Sequence, residues 1–219
     1  MGSVARALGG SVSNAERARL RREQADATRG LLLRSAREVF EEQGYKAASV
    51  NAITARADTA HGTFYLYFKN KQDAFIQVLA DINVQLHAEA EASWQGDRRA
   101  SAAKATAGFL GVFVLHAGLW RALLEAILLD PAIEQMWADM RRTFAERVAR
   151  NIEREQQAGQ VRQFDARNAG YALASMVEWY AFTHFVMEGP PTSPDAVGEA
   201  VELLTDLWIH AVYGDRLDD

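Results

Sequence analysis

The chain has 219 residues, 49% of them apolar and 24% charged, enough to bury a sizeable core without covalent staples. It has no cysteine, which excludes a disulfide framework, a Cys-based zinc site and a thiol nucleophile. The formal net charge of −5, taken whole, argues against a non-specific nucleic-acid binder. That sum hides a split. Residues 1–75 carry 12 Lys and Arg against 8 Asp and Glu, a net of +4, while residues 76–219 carry 12 against 21, a net of −9. A basic head on an acidic body points any polyanion to one end; a solvated basic helix face gives the same count.

The first 26 residues, rich in Gly, Ser, Ala and Arg, read as a flexible basic arm. Its Arg17, Arg19, Arg21 and Arg22 suit contact with phosphates, and equally a solubilising tail or an extension of the first helix. The first 25 residues contain no apolar leader, so a cytoplasmic protein is expected. No segment alternates with strand period; the 3.6-residue period recurs instead, and the expected class is all-α. About nine helices are expected, over 27–43, 49–56, 60–66, 70–95, 101–116, 119–128, 131–157, 166–188 and 194–213, three short ones followed by six mostly longer ones. In the first, Leu32, Ala36, Val39, Phe40 and Gln43 share one face and Gly44 stops the helix. Asn70 with Asp73, Asp130 before Pro131, and Ser193 before Pro194 each provide an N-cap. The domain division that follows is an arm over 1–26, a helix-turn-helix head over 27–75 and a helical body over 76–219.

Ser49 to Phe68 holds two short helices meeting at a turn near Ala57-Asp58-Thr59, the helix-turn-helix arrangement in which one helix braces and the next enters the major groove. Phe64 and Phe68, four apart, face the core. The candidate DNA-facing set is then Thr59, Ala60, His61, Gly62, Thr63, Tyr65, Tyr67, Lys69 and Lys71. His61 lies in the first turn, where base edges are reached. Gly62 lets the backbone approach closely. Thr63 and the tyrosine hydroxyls can donate to phosphates, as can the two lysines. Half-buried aromatics and solvated lysines would have the same composition.

Residues 28–75 resemble the N-terminal DNA-binding domain of the TetR family of bacterial transcriptional regulators. The likeness rests on Phe40…Gly44-Tyr45, Val50…Ile53, Gly62-Thr63-Phe64-Tyr65, Tyr67-Phe68 and Lys71 at the family's spacing. It implies a helical homodimer with two reading heads on double-stranded operator DNA, with Thr63, Tyr65, Tyr67 and Lys71 on phosphates and His61 at the bases. The chain departs from the pattern in the turn: Asp58 and Thr59 stand where the family commonly has Gly and an apolar residue, and Ala60 stands where it has a Ser cap. Because Ala cannot cap, Thr59 is expected to take that role.

The body is rich in aromatics. Phe109 and Phe113 are four apart, and Trp137, Met140 and Phe144 follow helical spacing. The most apolar window, Ala105 to Trp120, has 16 residues and contains His116; it is shorter than a membrane span needs, roughly 18, and reads as buried helix. The stretch from Phe109 to Gly214 resembles the ethionamide-resistance-type repressors of actinobacteria. That likeness rests on Trp137, Gly189-Pro190-Pro191 and Asp206-Leu207-Trp208-Ile209…Tyr213-Gly214, and implies a long apolar ligand tunnel through the body. Candidate ligand contacts are Phe109, Phe113, Trp120, Trp137, Met140, Phe144, Glu178, Trp179, Phe182 and Trp208, with His116, Thr183 and His184 as further polar groups. An aromatic stripe of this kind also suits a plain core. Helix 166–188 is apolar on almost every side and needs cover beyond one subunit's core. Val177 and Phe185 on it, with Val197, Val201 and Leu204 on the last helix, are the expected four-helix dimer interface.

No phosphate-binding Gly-rich loop, His-Glu-x-x-His or Gly-x-Ser-x-Gly motif occurs, so no catalytic residue, metal or cofactor is expected. The reading is a ligand-responsive transcriptional repressor released from a pseudo-palindromic operator by an apolar small molecule. The alternative is a helical small-molecule binder or enzyme with a vestigial head.

Overall fold

The computed structural model describes residues 13–91, 97–189 and 195–214, together with Pro191 and Ser193. The first twelve residues of the expected arm, the expected helical end at 92–95, and Pro190 and Pro194 lie outside the described residues. Among the described residues there are nine α-helices and no strand.

The head begins with α1 (Asn14–Ala47), which at 34 residues is the longest helix rather than a short one. Residues 14–26, expected as a flexible arm, are its first turns. The Ser13 side chain accepts the Glu16 N–H at 3.2 Å, Arg19 and Glu23 pair across one turn at 3.7 Å, and the Ala, Arg, Glu and Leu between are strong helix formers. Gly44 breaks the helix at φ 77°, a left-handed conformation that favours glycine, and one further turn follows. Leu32, Ala36, Val39 and Phe40 are buried as expected, whereas Gln43, in the last turn before the break, is exposed.

The second helix, α2 (Val50–Arg56), is capped by Ser49, whose hydroxyl accepts the Ala52 N–H at 3.2 Å. Its Arg56 pairs with Glu42 and, at 3.6 Å, with Glu38, tying α2 to α1. The turn then places Asp58 at φ 48°, the position where glycine is the usual solution and Asp one of the few tolerated alternatives. It leads into α3 (His61–Phe64). The next helix, α4 (Lys71–Glu91), starts as its sequence suggests: Asn70 Oδ1 accepts the Asp73 N–H at 2.8 Å, and the Asp73 carboxylate accepts the Lys69 N–H at 2.8 Å. In the core of the head Phe40 packs edge to face on Phe75 at 4.7 Å between ring centres, and the Phe64 and Phe68 rings lie tilted against each other at 5.2 Å.

The body comprises α5 (Arg98–Leu115), α6 (Ala117–Leu129), α7 (Pro131–Gln157), α8 (Ala166–Ala181) and α9 (Ala196–Tyr213). Its main packings are α7 on α8 and α5 on α9, with α4 against α5. The apolar window Ala105–Trp120 is shared by two helices, because the chain bends by 79° at His116 between α5 and α6. No single described helix is long and apolar enough to cross a membrane. Asp130 caps α7, its carboxylate accepting the Ala132 N–H at 3.0 Å, with Pro131 in the first turn. At α9 the expected cap is corrected: the N-cap position falls on Asp195 with no side-chain bond, and the Ser193 hydroxyl, two residues earlier, accepts the Asp195 N–H at 3.1 Å in the turn before the helix.

The expected continuous helix 166–188 changes winding. Beyond Ala181 it becomes a π-helical turn over Phe182–Met187, and the Arg121 guanidinium donates to the Val186 carbonyl at 2.9 and 2.7 Å. The wider turn shifts the helical register, and Phe182, Phe185 and Val186 are all buried.

Head and body meet along α6, which packs on α1. At its N-terminal end the buried His116 places Nδ1 2.8 Å from Glu41 Oε1, and Gly118 lies so close to the Glu41 carbonyl that a Cβ there would sit 2.4 Å from its oxygen. Towards its C-terminal end Glu125 accepts the Lys46 N–H at 3.1 Å. Just past it Asp130 accepts from the Tyr45 hydroxyl at 3.2 Å and from the Gln72 amide at 2.7 Å.

Candidate nucleic-acid interface and body cavity

The outward face of the head is built on α3 and the turn after it. His61, Gly62, Tyr65 and Lys69 are exposed, while Phe64 and Phe68 hold the segment down from below. The His61 and Tyr65 rings lie 5.3 Å apart, side by side on this face. A Cβ at Gly62 would meet nothing within 4 Å, so the chain's own packing does not require glycine there. Thr63 and Tyr67 are half-buried at the edge of the face. Leu66 is 78% exposed beside them and was not among the expected residues; an apolar side chain left in water on a reading face is the signal that marks it.

Two expectations here are corrected. Lys71 does not reach outward: its ammonium donates to the carbonyls of Tyr45 at 2.8 Å, Ala48 at 3.0 Å and Lys46 at 3.3 Å, and sits 4.7 Å from the Tyr45 ring centre. Three donors meet three carbonyls at the end of α1, so the lysine serves as a cap. Burial pushes its pKa down, opposed by the Glu125 carboxylate. Thr59 does not cap α3 either. The N-cap position falls on Ala60 with no side-chain bond, and the Thr59 hydroxyl is buried without a partner.

The described residues of the body enclose two neighbouring cavities of about 50 Å³ each. The first is walled by Phe109 and Phe113 of α5, by Trp137, Met140, Arg141 and Phe144 of α7, and by Tyr171, Ser175 and Glu178 of α8, with Asn83 and Leu86 of α4 closing it. The second contains Ala102, Thr106, Val148, Val177 and Trp208. Phe109 and Phe144 line both, stacked at 6.1 Å between ring centres, so the expected long tunnel is interrupted by an aromatic partition. The first cavity has one ion pair: Arg141 Nε lies 2.6 Å from Glu178 Oε2, and the guanidinium also donates to the Ser175 hydroxyl at 3.2 Å. Burial raises the Glu178 pKa and Arg141 opposes the shift.

The family model described as "Bacterial regulatory proteins, tetR family" matches residues 32–78, and that described as "Transcriptional regulator EthR, C-terminal domain" matches residues 102–214, more than half of the chain. The chain belongs to the TetR family. Its C-terminal part is of the EthR type. The TetR-family regulator EthR of Mycolicibacterium smegmatis is 22% identical over 197 residues, covering 88% of this chain and 89% of that protein. Among solved structures, a TetR-family transcriptional regulator from Mesorhizobium loti aligns with a TM-score of 0.72 at 15% identity, over 86% of this chain and 98% of that one. The SmeT–triclosan complex aligns with a TM-score of 0.66 at 22% identity, over 86% and 93%. The chain is thus a DNA-binding transcriptional regulator of the TetR family, and the all-helical fold with an N-terminal helix-turn-helix is that of its relatives.

Within this TetR-family body the expected contacts sort into three groups. Phe109, Phe113, Trp137, Met140, Phe144 and Glu178 surround the first cavity, and Trp208 the second. Trp120 and Phe182 form a layer behind the wall, with Trp120 stacked on Phe113 at 4.3 Å and Phe182 edge-on to it at 5.2 Å. Trp179 is misplaced: it is 60% exposed, pointing away from the core. The polar candidates also lie elsewhere, His116 buried against Glu41 and the exposed His184 against Glu188 at 2.9 Å; Thr183 lines neither cavity. Arg141, Tyr171 and Ser175 were missed, although Tyr171, Ser175 and Glu178 stand at i, i+4 and i+7 on one face of α8.

The expected dimer face is corrected too. Val177, Phe185 and Leu204 are buried within this chain, and Val197 and Val201 are half-buried against the same core. The apolar side chains that α8, the π turn and α9 leave in water are Trp179, Met187, Leu203 and Leu207.

Proposed function

We propose that this regulator is a repressor that holds a pseudo-palindromic operator as a homodimer and lets go when an apolar small molecule occupies its body. The arrangement that supports this is the run of contacts from cavity to head: Phe113 lines the cavity, Trp120 of α6 stacks on it, and α6 is fastened at both ends to the end of α1 beside the reading unit. A ligand that parts the Phe109–Phe144 partition has to shift this packing, and a close-packed seam transmits a shift rather than absorbing it.

On DNA, His61 and the open backbone at Gly62 approach bases, while Thr63, Tyr65, Tyr67 and Lys69 anchor phosphates, with Thr59 and Ala60 at the approach to the groove. Lys71 supports the head from inside. The head runs to residue 75 and the body from 76, joined by the unbroken α4. The helical residues 14–26, with their four arginines, extend from the head as a basic arm. Trp179, Met187, Leu203 and Leu207 form the two-fold interface that sets the spacing of the heads. Catalysis, metal and cofactor play no part, and the protein works in the cytoplasm. The SmeT–triclosan complex supports an aromatic effector, since a body of the same fold was solved with one.

The test is anisotropy with labelled DNA from upstream of the gene, at fixed salt, with triclosan and 1-decanol as probes. A probe that raises the melting temperature should weaken operator affinity by about fivefold or more, the lower end of typical allosteric coupling. A probe that binds the body and leaves operator affinity unchanged contradicts the proposal.

A further inference from the structure

Arg141 and Glu178 are the charged side chains that line the first cavity, and they differ in their access to water. The Glu178 side chain is 13% exposed and fixed on the inner face of α8, while the Arg141 side chain is 45% exposed and enters from the mouth. The remaining walls are aromatic and aliphatic, with Trp137, Phe109 and Phe144 among them.

We infer that the first cavity selects amphipathic cations, molecules with an aromatic or aliphatic body and a protonated amine that takes the place of Arg141 on Glu178. This rests on the reading of the cavity as the effector site and names the chemistry of what enters it. A buried carboxylate needs a counter-charge, and an exchange of one cation for another keeps it paired throughout. Arg141 is the partner able to leave, because its guanidinium has solvent to return to. Glu178 has little, so an anionic ligand on Arg141 would bring a second carboxylate against the first or leave Glu178 largely buried without a partner. A neutral ligand displaces nothing and gains only apolar contact. The faces of Trp137, Phe109 and Phe144 carry the negative side of the aromatic quadrupole towards the bound amine, and the Ser175 hydroxyl offers it a further acceptor.

The test is calorimetric titration of the full chain, without DNA, with 4-phenylbutylamine, 4-phenylbutanol and 4-phenylbutyrate, which share one apolar body and differ in the head group. The amine should bind the wild type about tenfold or more tighter than the alcohol, and the carboxylate weakest. Glu178→Gln should bring amine and alcohol together. Arg141→Ala, which removes the competing cation from the wall, should tighten the amine severalfold relative to the alcohol. A carboxylate that binds best, a wild type that takes no amine, an amine preference that survives Glu178→Gln, or amine binding that weakens in Arg141→Ala overturns the inference. Because DNA is absent, loss of the amine preference leaves the effector reading standing, and failure of a bound amine to release operator counts against that reading alone.

Discussion

Lys71 shows how a residue's place in space can reverse the role its type suggests. A lysine in the first turn of a helix after a recognition helix suits phosphate contact, but here its three protons go to the carbonyls that end α1. Lys69, two positions earlier, is exposed. The two should separate cleanly. Lys71→Ala is expected to cost about 1–3 kcal/mol of stability, through carbonyls left without donors, and to leave the salt dependence of DNA binding unchanged. Lys69→Ala should leave the melting temperature alone and lower the slope of log affinity against log salt by about 1. Equal slopes in wild type and Lys69→Ala, or a shallower slope in Lys71→Ala, would reverse the assignment. Asp58 is a second case. At φ 48° it holds a conformation glycine adopts freely, so Asp58→Gly should stabilise the head by about 0.5–1 kcal/mol in denaturant titration and tighten DNA binding most at low salt. A loss of stability would mean that the Asp side chain does more in the turn than its backbone angle explains. The sequence made Asp58 visible as a departure from a pattern, but nothing local could say that Lys71 points inward, because its acceptors lie 23 to 26 positions away.

At the scale of the elements, what could be read was what is written locally. The caps at Asn70 and Asp130 each act through a bond spanning two or three residues, and the Phe64–Phe68 pair is fixed by one helical turn. The long first helix was half-visible, since its composition favours helix but its N-cap at Ser13 lies within the Gly/Ser-rich opening, three residues after Gly10. The π turn was not visible at all. Helix 166–188 is apolar on nearly every side, so periodicity could not say which side faces the core, and the inward and outward sets were exchanged: Phe185 inside, Trp179 outside. The seam along α6 has its own signature. Burial, and after it the Asp130 carboxylate, push the Tyr45 hydroxyl up to about 12. Because this is above the ordinary value of 10.0, the contribution to stability is complete below that pH and is lost as pH rises through the folded value. Ultraviolet titration should therefore show Tyr45 ionising late, beside Tyr213, whose pKa burial also raises. Asp130→Asn, which keeps the cap on α7, should bring the Tyr45 step down; an unmoved step would remove Asp130 from the explanation.

For the whole molecule, the charge of −5 is the sum of a basic N-terminal end and an acidic body, and α1 packs against both α6 and α4 where the two meet. The head offers His61, Gly62, Tyr65 and Lys69 to a partner; the body keeps its aromatic cavities within the bundle of α5, α7 and α8. On the proposed reading, repulsion between the acidic body and the duplex restricts contact to the head. The central claim is that the exposed face of α3 docks on DNA through its backbone phosphates. Salt-titrated anisotropy on the upstream DNA, with wild type beside Tyr65→Ala, tests it most directly. Log affinity should fall linearly with log salt, at about 0.9 per phosphate neutralised, and a Tyr65→Ala protein should be weaker at every salt concentration and on every sequence while equally stable. Affinity that is flat in salt, or a Tyr65→Ala protein that binds as wild type does, would contradict it.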